Sequence, residues 1–250
     1  MRGDLLRSRR VGLALSGGSV RGLAHIGVVK ALTEAGIRPA VVTGTSAGSL
    51  IGAAVAAGMG WEELAAIARA VFWPGLLDGR RLERFCARHL PETFADLRLP
   101  FAAVATRLPS KEPITIGEGR LASAISASCA QRVVRRPVVR DGERLRDGGI
   151  ACVLPTEACR ALGADLVIAS DVWELGALLR GLGLHPLGAR SAHLYPSHYR
   201  RAVHHTDVLV TPSIPPAGYV PGARAVERMI AAGERAAWRE LERLGVGAAA

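Results

Sequence analysis

The stretch Val41–Gly58, VVTGTSAGSLIGAAVAAG, constrains this chain more than any other. A β-branched run, Val41–Val42–Thr43, meets the turn Gly44-Thr45-Ser46-Ala47-Gly48. The small apolar residues that follow suit only a buried helix. Strand, sharp turn and helix, with Ser46 at the apex, is the layout of a nucleophile elbow. Gly44 and Gly48 have a mechanical role in such a turn, because a Cβ at either position would collide with the neighbouring strand or helix. Ser46 is expected to expose its hydroxyl beside a helix N-terminus, where backbone N–H groups lack partners. The five-residue pattern also occurs in ordinary Gly/Ser loops. The flanking strand and helix are what argue for the elbow.

The same alternation of elements precedes it. Val11–Leu15 (VGLAL) reads as a buried strand and Ser16–Gly22 (SGGSVRG) as a glycine-rich turn. Leu23–Ala35 has helical spacing and stops at Gly36. Strand–helix–strand–helix in the first 58 residues is the signature of a parallel sheet covered by helices. Further on, helices are expected at Trp61–Val71 and Arg80–Leu90, separated by Pro74–Gly75, and this segment is the natural place for a cap over the site. Strands are expected at Phe101–Thr106, Ile114–Ile116 and, centrally, Asp165–Ser170, with another at Asp207–Thr211. Val138–Arg140 and Arg144–Arg146 form a hairpin closed at Asp141–Gly142. Helices follow at Leu121–Ser128 and Thr156–Leu162, and one of about twenty residues ends the chain. Residues 174–205 read as either helix or loop. The expected organisation is a basic N-terminal tail (1–10), a single domain (11–245) and a flexible C-terminus (246–250).

Composition bounds the function. A chain of 250 residues with 49% hydrophobic residues and 29 glycines suits a compact α/β protein. The net charge of +10 is carried almost wholly by arginine, since Lys30 and Lys111 are the only lysines. Such a surplus favours anionic partners, of which the face of an anionic membrane is one. Nucleic acid is not expected, because no helix reads as carrying a one-sided arginine stripe interleaved with aromatics. Cys86, Cys129, Cys152 and Cys159 lack CxxC spacing and paired histidines, so no metal and no disulfide framework is expected. MRGDLLRSRR is followed by no apolar signal core, and no apolar run reaches membrane-spanning length. A cytoplasmic protein, at most peripheral to the membrane, is the expectation.

A serine nucleophile needs a base and needs donors for the developing oxyanion. Gly17, Gly18 and Ser19, between a strand and a helix, can turn their amides toward one point. GGSVRG has the wrong glycine spacing for a dinucleotide fingerprint, and no cofactor is expected. The base is open. Histidine is the usual choice, but none of the downstream histidines ends a clear strand, and His25 reads as structural. Asp147, after a strand and before two glycines, is a candidate carboxylate; Asp165, Asp171 and Asp207 flank strands as well. Residue chemistry alone does not choose among them.

Three segments together resemble the patatin-like phospholipase family: LSGGSVRGLAHIGVV (Leu15–Val29), GTSAG (Gly44–Gly48), and DGG (Asp147–Gly149) followed by GADLVIASDV. Their order and spacing fit as well. The resemblance implies a three-layer α/β fold with a mostly parallel central sheet and helices on both faces. It implies a lipid acyl hydrolase in which Ser46 is the nucleophile, Asp147 the base, and Gly17, Gly18 and Ser19 the oxyanion donors, with Arg21 closing their loop. The substrate would be a lipid or simple ester. The chain departs from the family at Ser19, where a third glycine is usual, and after Ser128, where CAQRVVRRP replaces a segment usually containing proline and phenylalanine. A Ser–His–Asp esterase and a non-catalytic lipid- or partner-binding protein are the competing readings.

Overall fold

The structure, a computed structural model, describes residues 9–189, 191–214 and 220–248. Among these residues eight strands form one mixed sheet. They are β1 (Val11–Leu15), β2 (Val41–Thr45), β3 (Phe101–Leu108), β4 (Pro113–Ile116), β5 (Val138–Arg140), β6 (Glu143–Asp147), β7 (Leu166–Ser170) and β8 (Val208–Val210). The helices are α1 (Ala24–Glu34), α2 (Ala47–Ala56), α3 (Trp61–Ala70), α4 (Gly79–His89) and α5 (Leu121–Ser128) in the first half. The second half adds α6 (Thr156–Ala161), α7 (Glu174–Gly181), α8 (Ser197–His204) and α9 (Ala223–Arg243).

The sheet's parallel part runs β3-β2-β1-β7-β8. Each strand alternates its side chains between two cores, as period-2 geometry requires. Val11, Leu13 and Leu15 face a core shared with α1, α2 and α9, whereas Ala14 faces one shared with Val153, Cys159 and Tyr199. Helices therefore cover both faces, as expected for an α/β chain. Asp165–Ser170 becomes β7, but it lies between β1 and the edge strand β8 and not at the centre. Three strands run antiparallel: β4 and β6 against β3, and β5 against β6.

The register along β3 positions the site. Ala103 and Val104 pair with both β2 and β4, and Ala105 and Thr106 with both β4 and β6. A strand has two edges, so β4 occupies one edge of β3 while β2 and β6 share the other. They approach each other head-on along that edge. Thr45 at the end of β2 pairs with Val104, and Asp147 at the end of β6 pairs with the next residue, Ala105.

The β5–β6 hairpin turns at Asp141 (φ 50°) and Gly142 (φ 80°), both in the left-handed region as a two-residue hairpin turn requires. The described residues of the segment 174–205, open from sequence, include the helices α7 and α8. The chain-end expectations change. Arg10, assigned to the tail, exchanges backbone and side-chain hydrogen bonds with Asp165. Val246, assigned to a flexible C-terminus, is buried in the core. Residues 1–8 of the expected tail and 249–250 of the expected C-terminus lie outside the described residues.

Candidate active site

Ser46 sits between β2 and α2 at φ 51°, ψ −120°, a backbone conformation that costs a residue with a Cβ on the order of 1–3 kcal/mol. Surrounding contacts hold it there. A Cβ on Gly44 would lie 2.2 Å from the Gly48 carbonyl oxygen, and one on Gly48 would lie 2.3 Å from that of Leu15. The elbow's two glycines thus let the strand, the helix and β1 pack backbone against backbone. The Ser46 N–H donates to Ser128 Oγ (2.8 Å), whose own hydroxyl donates to the Val104 carbonyl (2.6 Å).

The Ser46 hydroxyl donates to Asp147 Oδ2 across 2.8 Å. Both side chains are nearly closed off, at 5% and 8% exposure. Asp147 is fixed at its other oxygen by the Gly149 N–H (2.8 Å), and its carbonyl accepts from Thr106 Oγ1 (2.8 Å). Burial pushes the Asp147 carboxyl above its ordinary range. The Gly149 amide, the Ser46 hydroxyl and the nearby Arg135 guanidinium pull in the opposite direction by favouring the charged form. Arg135 is itself held by the Cys129 carbonyl and the Ser126 hydroxyl.

The glycine-rich loop lies against the elbow: a Cβ on Gly17 would be 3.5 Å from that of Ser46. The Gly17 N–H donates to the Val153 carbonyl (2.9 Å), which narrows the expected donor set to Gly18 and Ser19. Neither of those amides, nor that of Ala47 at the start of α2, has an acceptor among the described residues. Arg21 closes the loop by donating from Nε to the Val172 carbonyl (3.0 Å). Gly18 packs so closely on Val172 that a Cβ would lie 2.6 Å from its methyl.

Ser19 adopts φ 52°, the left-handed region. A residue with a Cβ is strained there by about 1–2 kcal/mol. Ser19→Gly is therefore expected to raise stability by about 1 kcal/mol, the net of relieved strain and added chain entropy. Urea unfolding measures it, and a clear loss of stability would contradict the strain account.

The histidines stand elsewhere. His25 is fully buried, with Nε2 3.0 Å from the Ser16 carbonyl and Nδ1 2.8 Å from Ser170 Oγ. A carbonyl only accepts, so Nε2 carries the proton and Nδ1 accepts from the Ser170 hydroxyl. Burial lowers its pKa to about 4, which keeps it neutral. No histidine hydrogen-bonds to Ser46 or Asp147 among the described residues. Of the other candidate carboxylates, Asp171 pairs with Arg180 and Tyr199, Asp207 with Arg160, and Asp165 with the Arg10 backbone. The cysteine thiols are raised by burial, Cys129 to about 12, and are poor nucleophiles. No group of three or more His, Cys, Asp or Glu gathers into a metal site among the described residues. No helix among them is long and apolar enough to cross a membrane.

Ser46 and Ser19 open onto an apolar pocket of about 80 Å³ lined also by Leu50, Trp73, Leu76 and Leu82. From the segment read as a cap, the Trp73–Leu77 turn and Leu82 of α4 line this pocket, whereas no residue of α3 does. Ser128 and Arg135 were not legible as site residues, because both act through contacts between distant segments. Helix α4 corrects the expectation that no helix carries a one-sided arginine stripe. In α4, Arg81, Arg84, Phe85 and Arg88 fall at i, i+3, i+4 and i+7, a one-sided arginine stripe with an aromatic.

The family model of the patatin-like phospholipases matches residues 13–160, a span containing the glycine loop, Ser46 and Asp147. An uncharacterized NTE family protein of Mycobacterium tuberculosis is 35% identical over 177 residues, 65% of this chain and 49% of that protein. Lysophospholipase nte1 of Aspergillus fumigatus is 32% identical over 187 residues, 68% of this chain but only 12% of that protein. The chain thus spans about half the length of the mycobacterial relative and far less of the fungal one. Among solved structures, VipD from Legionella pneumophila superposes with a TM-score of 0.65 at 15% identity, covering 94% of this chain and 67% of that one. The type III effector ExoU superposes with a TM-score of 0.52 at 13% identity, covering 96% and 54%. At such identities the likeness concerns the fold. The family match extends over more than half of the sequence, and the chain belongs to the patatin-like phospholipase family.

Proposed function

We propose that this chain is a serine lipid acyl hydrolase that cleaves carboxylic esters of phospholipids or lysophospholipids through a Ser46–Asp147 dyad. The observation that carries this reading is the 2.8 Å hydrogen bond from Ser46 Oγ to Asp147 Oδ2 at the floor of an apolar pocket. Family membership and the relative named as a lysophospholipase support the lipid substrate class.

In the mechanism, ionised Asp147 takes the Ser46 proton at Oδ2 as Oγ attacks the ester carbonyl carbon. The carbonyl π electrons move onto oxygen, and the unpaired amides of Gly18, Ser19 and Ala47 are the donors available to that charge. Collapse of the tetrahedral intermediate breaks the ester C–O bond, and the alcohol leaves with the proton from Asp147. The carboxylate then deprotonates a water that attacks the acyl-serine, releasing the fatty acid and restoring the Ser46 hydroxyl. No cofactor enters this sequence.

A fluorophosphonate probe tests the nucleophile directly. The expected result is a single covalent adduct on Ser46, detected by intact-mass and peptide mass spectrometry and absent from Ser46→Ala. A chain that is not labelled, and that hydrolyses none of a panel of phospholipids, lysophospholipids and p-nitrophenyl esters, would instead be a non-catalytic lipid-binding protein.

A further inference from the structure

Helix α4 divides its residues sharply. Leu82 and Cys86 are buried in the core, while Arg81, Arg84 and Arg88 stand exposed on the opposite side with Phe85 between them. Across from this stripe lie Ala66, Ile67, Ala70, Val71 and Phe72, and the two walls enclose a cleft of about 720 Å³. None of the three arginines forms an ion pair among the described residues. Their carboxylate neighbour Asp78 is engaged in capping α4, its Oδ1 accepting from the Arg81 N–H. Glu83 is the one carboxylate within α4 itself. Like charges one helical turn apart repel, and an anion in the cleft would relieve that repulsion.

The cleft adjoins the Ser46 pocket. Leu76 lines both. A small apolar cavity of about 30 Å³ lies between them, sharing Ile67, Phe85 and His89 with the cleft. It also shares Leu50 and Trp73 with the Ser46 pocket. Large apolar side chains border this region without cover. Phe72 is 66% exposed at the cleft wall. Val133 is 94% exposed, beside exposed Val134 and Arg132, in the loop whose Gln131 lines the Ser46 pocket.

We propose that the Arg81–Arg84–Arg88 cleft is the chain's contact with an anionic phospholipid membrane, taking lipid phosphate groups on its guanidinium wall beside the apolar pocket of Ser46. Guanidinium forks match phosphate oxygens two at a time. Arginines near an anionic leaflet each gain about 1 kcal/mol, and exposed Phe and Val insert into the head-group boundary. A nucleic acid would also suit an arginine stripe. Phe72 and Phe85 offer rings on which a base can stack, but the rest of the opposite wall argues for lipid, since Ala66, Ile67, Ala70 and Val71 offer bases neither hydrogen bonds nor stacking planes. The proposal rests on the acyl-hydrolase reading for its purpose, but the binding is measurable without turnover.

The test uses the full chain carrying Ser46→Ala, so that no lipid is consumed. Co-sedimentation with phosphatidylcholine vesicles, with and without phosphatidylglycerol, reads the binding. Binding is expected only with phosphatidylglycerol and is expected to weaken with added salt. The combined Arg81→Gln, Arg84→Gln and Arg88→Gln variant is expected to lose on the order of 100-fold in affinity at unchanged unfolding midpoint. Phe72→Ala, which leaves the charge intact, is expected to lose roughly five- to tenfold. Binding that is indifferent to salt, or unchanged in the triple variant, overturns the proposal. So does competition by inorganic phosphate that matches the vesicles mole for mole, which would mark a free-phosphate site. Tighter Arg-dependent binding of a labelled single-stranded oligonucleotide than of the vesicles overturns it in favour of nucleic acid. Arg-dependent vesicle binding by a chain that hydrolyses no ester leaves this inference standing and removes the acyl-hydrolase reading. Hydrolysis together with Arg-independent binding does the reverse.

Discussion

Ser46→Ala, Asp147→Asn and the double variant are expected to show the same residual ester hydrolysis, about 10⁴-fold or more below the unsubstituted chain. Nucleophile and base act as a unit, so removing the second after the first changes little. Single alanine replacements of the seven histidines are expected to retain activity, because Ser46 Oγ donates to Asp147 and the buried His25 is committed to Ser16 and Ser170. Full activity in Asp147→Asn, or its loss in one histidine variant that still folds, would replace the dyad with a Ser–His arrangement.

The same carboxyl links activity to pH and to stability. Burial raises its folded-state pKa above the unfolded value, so the folded chain binds that proton more tightly. The sign follows from linkage: stability falls as pH rises through the window between the two values, and above it the fold carries a buried charge. Activity has the opposite sense, since only the ionised carboxylate accepts the Ser46 proton. The acid limb of kcat/KM is expected above the ordinary Asp value of about 3.9. At neutral pH, Asp147→Asn is expected to melt higher than the active chain. An acid limb at or below the ordinary value, or a lower Tm for Asp147→Asn, would contradict the burial account.

The second large effect concerns the elbow's backbone. Gly48→Ala places a methyl 2.3 Å from the Leu15 carbonyl oxygen and 2.6 Å from that of Ser16. Neither can swing aside, because both belong to β1 and its continuation, and Ser16 N–H bonds the Ser170 carbonyl (3.0 Å). Overpacking against fixed backbone is expected to cost about 3 kcal/mol. Any relaxation that admits the methyl moves Ser46, and misplacement by about 1 Å costs on the order of 10² in rate. Urea unfolding and kcat/KM on a soluble ester measure the two effects. Gly181→Ala is the control, since a Cβ there meets nothing within 4 Å. It is expected to be neutral or mildly stabilising. Equal behaviour of the two variants would refute the close-approach explanation.

The features legible in the residues are those that act locally. The elbow at Gly44–Gly48, the hairpin turn at Asp141–Gly142 and helix α5 at Leu121–Ser128 follow from periodicity and turn chemistry within a few positions. These depend on φ/ψ preferences and on which face of a strand or helix is apolar, both of which a short window contains. The Arg81–Arg88 stripe belongs to the same class, and its helical spacing was available in the residues of α4. Which side of that helix stays open was not, because exposure depends on what packs around it.

Sequence by itself thus determined the α/β architecture, the serine at the apex of the strand–turn–helix, and the glycine-rich loop after the first strand. It left four carboxylates and several histidines as equal candidates for the base on chemical grounds, and only resemblance ranked them. Tertiary structure decided the pairing through register. β2 and β6 share one edge of β3 and end on adjacent residues, Val104 and Ala105, so side chains 101 positions apart come within 2.8 Å. It also decided that Gly17 spends its amide on Val153, that Ser128 anchors the Ser46 amide, and that Arg135 stands near Asp147. Such facts arise from strand pairing between remote segments, and pairing depends on the free energy of the whole sheet and not on any window of residues.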